Sequence, residues 1–240
     1  MSQKSDNHPV WRSTATAQEL SLDLGLRNYM VRVYGYMALG LGLTGLVAFF
    51  AASSPALMMA IFTTPLKWVV MFAPFGMVLL LSARIGSMPF STAQMLFWGY
   101  AGLMGLSLSS IFLVFTGESI ARLFFISASV FGAMSLYGYT TRKDLTAFGS
   151  FLLMGVVGIV IASLVNLFLH SSAMQLMISV IGVLVFTGLT AYDTQQIKES
   201  YFESDSHELA GKKAIIGALQ LYLDFVNLFI SLLHLFGDRR

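Results

Sequence analysis

The chain has 240 residues, of which 56% are hydrophobic and 11% are charged, with a formal net charge of +2. Soluble domains contain roughly 25% charged residues, so this composition indicates an integral membrane protein. No basic cluster typical of a nucleic-acid-binding protein is present, and the lack of cysteine excludes disulfides, thiolate catalysis and cysteine-ligated metals.

Residues 1–28 form a polar amino-terminal segment that lacks the continuous apolar core of a signal peptide. We expect this segment to be a cytoplasmic tail that is disordered up to about Thr16. The remainder, residues 29–240, is expected to form a single transmembrane domain.

Seven apolar runs are long enough, or nearly so, to cross a bilayer as helices. They predict an all-α membrane protein, a bundle of seven transmembrane helices. The predicted spans cover residues 29–52, 66–83, 93–115, 123–139, 148–169, 175–192 and 214–236. Pro74 falls inside the second span, and residues 55–64 could form a short interfacial helix. Glycines within residues 35–45, and Gly99, Gly102 and Gly105, would let helices approach closely in a compact bundle.

Lysine and arginine are divided unevenly between the two sides of this bundle. With the amino terminus inside, ten of these residues lie on the cytoplasmic side and four on the other side. The positive-inside rule therefore predicts a cytoplasmic amino terminus and an external carboxyl terminus.

The last span carries a row of polar side chains at steps of four, three, four and three residues, which places them on one helix face. We call this row the polar seam; it consists of Gln220, Asp224, Asn227, Ser231 and His234. At about 1.5 Å per residue it is about 21 Å long, most of the hydrocarbon thickness. Exposing such side chains to lipid costs several kcal/mol each, so we expect the seam to face other helices or water. We therefore expect the last helix to be the axis of the protein.

Two acidic residues stand out in the last two spans: Asp193 ends the sixth and Asp224 lies inside the seventh. The two can meet only if the sixth span is tilted or continues toward Lys198 while the seventh begins low. Two neighbouring carboxylates at low dielectric cannot easily both ionise, so the pair would share a proton and act as a pH switch.

Arg84, at the cytoplasmic end of the second span, is the candidate partner of this pair, because a guanidinium can bridge two carboxylates. Protonating the pair would then weaken its ion pair with Arg84. Two alternatives stay open. Each aspartate could instead cap a helix or bond to a neighbouring polar side chain, and Arg84 could be an ordinary positive-inside anchor.

Other polar residues support weaker predictions. Asn166 shares a helix face with Ser163 and His170 and could line the outer half of a cavity. His170 and His234 are more typical of interfacial residues than of metal ligands, because no second ligand lies at the required spacing. Glu118 and Arg122 have the spacing of an exposed ion pair, and the acidic segment 199–208 is expected to be a solvated loop that a cytoplasmic cation could visit.

Three stretches identify a family. They are SLYGYTTRKDL (135–145), FTGLTAYDTQQIK (186–198) and LYLDFVNLFISLLHLFG (221–237), and their order and spacing resemble the bacterial branch of the Bax inhibitor, or transmembrane Bax inhibitor motif, family. The resemblance extends from about residue 24 to residue 237. It implies a seven-helix protein of the bacterial inner membrane whose last helix is wrapped by the other six.

The resemblance also implies calcium leak across the membrane, governed by an aspartate pair in the last two helices. By matching motifs this pair falls on Asp193 and Asp224, and the arginine that latches it in the closed state would be Arg84. We therefore expect a pH-sensitive calcium leak that needs no cofactor. We expect Ca²⁺ to be the permeant ion and to be bound transiently by the two aspartates. The lipid bilayer is the expected partner of the protein. The alternative is a membrane-embedded modulator that binds a membrane-anchored ATP-dependent protease.

Rival functions fit the residues less well, and we do not expect an enzyme. An intramembrane aspartyl protease would need a glycine pattern before Asp224, where Leu221, Tyr222 and Leu223 stand instead. A retinal protein would need a lysine in the last span, which residues 214–237 lack. The spans show no inverted repeat of the kind that secondary transporters have.

Overall fold

The computed structural model describes the backbone of residues 10–240 and the side chains of residues 24–240. Over that part of the chain the secondary structure is helical, apart from one isolated β-bridge between Phe115 and Arg239. The helices are α1 Val10–Ala52, α2 Pro55–Phe62, α3 Leu66–Arg84, α4 Phe90–Leu108, α5 Ile111–Val114, α6 Gly117–Thr140, α7 Thr146–Leu169, α8 Ser172–Glu199 and α9 His207–Phe236.

Several helices begin where a hydroxyl side chain can cap the first turn. Ser or Thr at the N-cap accepts a hydrogen bond from a backbone N–H three residues later, which satisfies a donor that the helix itself leaves free. These pairs are Ser54 with Leu57, Thr116 with Ser119, Ser171 with Met174 and Ser206 with Leu209.

Seven membrane spans are confirmed in the described part of the chain. They are Leu24–Ala52, Leu66–Arg84, Phe90–Val114, Gly117–Thr140, Thr146–Leu169, Ser172–Glu199 and His207–Phe236. The short helix predicted after the first span is α2. Pro74 does not interrupt α3, as is common in membrane helices, where neighbouring groups compensate for the lost hydrogen bond.

The boundaries differ from the prediction mainly at polar ends, where a helix continues beyond the hydrocarbon. Helix α1 begins at Val10, so the part of the predicted tail from residue 10 onward is helical. The remainder of that tail, residues 1–9, lies outside the described residues. The sixth span runs to Glu199 and the seventh begins at His207, which is the extension that the two aspartates need in order to meet.

Helix α9 is the most buried of the described spans. In its most apolar window 72% of the residues are buried, compared with 6–39% in the other six. Its main contacts are with α8, α1, α6 and α4, so four of the other six spans surround it closely, and not all six. Helix α7 packs chiefly on α8, and α3 packs chiefly on α4, which leaves both at the periphery.

Helices α6 and α8 touch at Gly138. A Cβ atom at this position would lie 2.2 Å from the carbonyl oxygen of Ala191, so only glycine permits the contact. Of the glycines predicted to allow close packing, Gly40 and Gly105 meet atoms of neighbouring helices. Others in the same stretches have open space where a Cβ would lie, namely Gly35, Gly42, Gly45 and Gly102.

The loop between α6 and α7 is tied to α8 by the buried amide of Gln195. Its Oε1 accepts from the Leu145 N–H at 2.9 Å and its Nε2 donates to the Lys143 carbonyl at 2.8 Å. Hydrogen bonds from Thr146 stabilise the exposed Asp144 carboxylate and lower its pKa. Two of the stretches that suggested the family therefore hold each other in place.

The carboxyl terminus is fixed to the start of α6. The Thr116 N–H donates to the Asp238 carbonyl, the Asp238 N–H to Ser119 Oγ, and the Arg240 N–H to the Val114 carbonyl, each at 3.0 Å. Arg122 Nη2 lies 3.0 Å from Asp238 Oδ2, so the salt bridge of Arg122 is with the chain terminus and not with Glu118 as predicted. We call residues 238–240 the carboxyl-terminal strap.

The Gly138 contact gives a test of this packing. In Gly138→Ala the new methyl group would force α6 and α8 apart, at a cost of about 2 kcal/mol. For a chain of this size we expect the apparent melting temperature in detergent to fall by about 4–8 °C. The control is Gly132→Ala on the same helix, where a Cβ meets nothing within 4 Å. Equal melting of the two variants would contradict the close contact.

Candidate functional site

Helices α8 and α9 run antiparallel, and their register is visible in two contacts. Gly217 on α9 lies against Ile197 on α8, and Gly182 on α8 lies against Ser231 on α9. Asp193 and Asp224 fall between these two contacts. The register therefore brings the two acids to the same level of the bundle.

The carboxyl groups of Asp193 and Asp224 lie within hydrogen-bonding reach of each other. Asp224 is 4% exposed, and its Oδ2 is buried and accepts no hydrogen bond from any described donor. Because an ionised carboxylate cannot donate, a hydrogen bond between the two requires a proton on one of them. The predicted neighbours are thus together, and their role in pH sensing stays a prediction.

A cavity of about 1160 Å³ opens beside this pair. We call it the aspartate cavity. Polar residues of α8 and α9 line one side of the cavity, which we call its floor. Apolar residues of α7, together with Phe75 of α3, line the other side, which we call its wall. The floor residues are Asp193, Gln196, Gln220, Asp224 and Asn227, and the wall includes Leu153, Val156, Ile159, Val160, Leu164 and Leu167.

A second, smaller cavity of about 360 Å³ shares two lining residues with the first and lies toward the end of the bundle that carries Lys212 and Lys213. We call this end the lysine end. Gln196 and Gln220 line both cavities, so their amides stand at the junction. Sequence reasoning had placed Gln220 on the seam but missed Gln196. Its signal was its spacing, because a residue three positions after Asp193 lies on the same helix face.

At the opposite end, Arg239 of the carboxyl-terminal strap lines the aspartate cavity. It is the one lysine or arginine among the described lining residues, and its backbone is held there by the bridge to Phe115. No sequence pattern indicates this position, because Arg239 reaches the cavity only through hydrogen bonds of its neighbours to a segment far away in the chain.

The polar seam divides into two parts. Gln220, Asp224 and Asn227 line the aspartate cavity, whereas Ser231 and His234 do not. The Ser231 hydroxyl donates to the Asn227 carbonyl at 2.7 Å, and the exposed His234 ring packs against Phe115. Ser231 therefore faces α8, where it lies against Gly182, and the seam looks partly at the cavity and partly at neighbouring side chains.

Arg84 is not part of this site. It is exposed at the end of α3, and it belongs to neither the lining of the aspartate cavity nor the ion pairs between described residues. The structure therefore does not show the predicted latch. The residues that follow Arg84, Ile85 and Gly86, line the second cavity, so the end of α3 lies near α8 and α9, but the Arg84 side chain forms no ion pair with either aspartate in the described structure.

The residues predicted on the fifth span do line the aspartate cavity. Asn166 Nδ2 donates to Gln175 Oε1 at 3.3 Å, and its Oδ1 accepts from the Ser171 N–H at 2.9 Å. His170 ends α7 in the left-handed conformation with φ of 50°. Asn166 thus shapes the turn between α7 and α8, and the wall of the cavity depends on that turn.

Within residues 24–240 the structure shows no group of three or more His, Asp or Glu side chains that could hold a metal ion tightly. Two acids of the segment 199–208 are neutralised by lysines, since Asp205 lies 2.6 Å from Lys213 and Glu208 lies 2.9 Å from Lys212. The aspartate pair and the neighbouring amides together place several side-chain oxygen atoms on the floor of the aspartate cavity.

Comparison with known proteins supports the resemblance seen in the motifs. A family model described as "Inhibitor of apoptosis-promoting Bax1" matches residues 26–240. The Rickettsia prowazekii protein RP147 is 51% identical over 227 residues, covering 95% of this chain and 96% of its own. The Escherichia coli inner membrane protein YbhL is 49% identical over 219 residues, covering 90% and 94%. The chain therefore belongs to the Bax inhibitor family of membrane proteins.

Proposed function

We propose that this protein is a passive, pH-sensitive conduit for Ca²⁺ in the cytoplasmic membrane, with Asp193 and Asp224 as its proton-sensitive element and its amino terminus inside. The observation that supports the proposal most directly is the buried carboxyl pair on the floor of a cavity. Buried acids inside a membrane protein are costly and are retained mainly where they serve a function. An inner-membrane relative, YbhL, is consistent with this location.

The chemistry of the cavity suits a hard divalent cation. Ca²⁺ prefers six to eight oxygen ligands, which carboxylates, amide carbonyls and water supply. The aspartate pair and the amides of Gln196, Gln220 and Asn227 provide such oxygens, and water completes the shell. Two acids are too few for tight binding, which favours passage over storage.

The two cavities suggest the route. An ion would enter the aspartate cavity at the end that carries Arg239, pass the carboxyl pair, and reach the lysine end through the junction at Gln196 and Gln220. In this route the amides form the narrow point between two wider spaces. The carboxyl pair lies immediately before it.

Replacing the acids tests the proposal. In Asp193→Asn and Asp224→Asn the floor loses one of its two carboxyl groups, and with it a Ca²⁺ ligand and the shared proton, so Ca²⁺ uptake into proteoliposomes should fall on the order of tenfold. The matched control is Asp144→Asn, which changes an exposed loop carboxylate and should leave uptake unchanged. Uptake by the two floor variants equal to wild type would remove the pair from the mechanism.

The sign of the pH dependence separates two mechanisms. If protons and Ca²⁺ compete for the same carboxylate oxygens, wild-type uptake should rise between about pH 5 and about pH 8. A latch through Arg84 would produce the opposite slope, because protonation would release the arginine. We expect the first result, with a flat profile in Asp224→Asn and a wild-type profile in Arg84→Gln.

The junction can be tested without touching the acids. In Gln220→Leu the narrow point becomes more apolar and sheds water, so Ca²⁺ uptake should fall while its pH dependence persists. The control is Gln94→Leu on α4, which makes the same change in a residue that lines neither of the two cavities. Equal loss in both variants would contradict a constriction at Gln220.

A further inference from the structure

A separate groove lies between α1 and α6, two helices with no extensive contact in the described structure. Its volume is about 630 Å³, within the range of about 300–1,000 Å³ that is typical of small-molecule sites. Most of its lining is apolar, and the groove opens sideways to the region that lipid occupies. Its lining residues include Arg27, Met30, Val31, Phe131, Gly132 and Leu136.

The few polar groups on the floor of this groove already have partners inside the protein. The Tyr34 hydroxyl bonds to Ser135 Oγ, which lies 3.0 Å from Thr194 Oγ1 on α8. An occupant therefore needs no hydrogen-bonding groups at this depth. This is the opposite of the aspartate cavity, where Asp224 has an unsatisfied oxygen, and it makes the groove suitable for an aliphatic chain.

One end of the groove is positively charged. Arg27 is exposed there and forms no ion pair with any described residue. The Lys198 ammonium lies 5.3 Å from the centre of the Tyr139 ring, which also lines the groove, and donates to the Tyr139 carbonyl at 2.9 Å. Two cations thus stand at the lysine end, where an anionic headgroup would lie at the membrane surface.

We propose that the α1–α6 groove is a binding site for an anionic phospholipid. One acyl chain occupies the apolar slot beside Gly132, and the phosphate lies at Arg27. Three observations support this assignment: the shape of the groove, the hydrogen bonds that its polar groups already form within the protein, and the positive charge at one end. The assignment does not depend on calcium transport.

Gly132 allows the slot to be filled without disturbing the bundle. A Cβ at this position meets nothing within 4 Å, so Gly132→Leu projects its side chain into the groove and also favours the helix. The control is Gly158→Leu on α7, which likewise has open space at the Cβ but lines neither cavity nor groove. Native mass spectrometry of the detergent-solubilised protein with added palmitoyl-oleoyl phosphatidylglycerol measures the bound lipid.

We expect wild type and Gly158→Leu to retain phosphatidylglycerol, and Gly132→Leu to lose it. Arg27→Gln should weaken phosphatidylglycerol binding roughly fivefold and leave the weaker binding of matched phosphatidylcholine unchanged. Arg84→Gln removes the same charge at another exposed position and should have no effect. Unchanged binding in Gly132→Leu would overturn the site, and equal affinity for the two lipids would overturn the role of Arg27.

Discussion

Two carboxyl groups held side by side in a buried part of the bundle are the constraint on which the rest of this structure depends. Each would lose several kcal/mol if it faced lipid, so the fold must give them a polar space and keep them there. The antiparallel contact of α8 and α9 does so through small residues at both of its ends, Gly182 and Gly217. The amides of the cavity floor and the wall supplied by α7 then complete a space that water can fill.

The bundle contains two lateral openings with opposite chemical requirements. The aspartate cavity has a floor with an unsatisfied acid and suits water and ions, whereas the polar groups of the α1–α6 groove are already paired and its slot suits an aliphatic chain. The two openings exist because certain pairs of helices do not pack closely against each other. Helices α7 and α3 stay at the periphery and leave the first space open, and the separation of α1 from α6 leaves the second.

The sequence predicted those features that depend on local pattern. Hydropathy gave the seven spans, and the rarity of acids in apolar segments pointed to Asp193 and Asp224. Sequence-based prediction failed for residues whose position in the fold depends on distant parts of the chain. Charge counting could place Arg84 on a side of the membrane but could not say which helices surround α3, and nothing local indicated that Arg239 folds back to the cavity.

The order in which the chain is made adds a consequence of the burial of α9. This helix is synthesised after α1–α8, yet α1, α4, α6 and α8 all use it as a packing partner. Until it inserts, those four helices present to lipid the surfaces that later become the interior, and Asp193 has no second acid beside it. The bundle therefore cannot pack before α9 has inserted, and a chain that stops before α9 lacks both the packing partner of those four helices and the second aspartate.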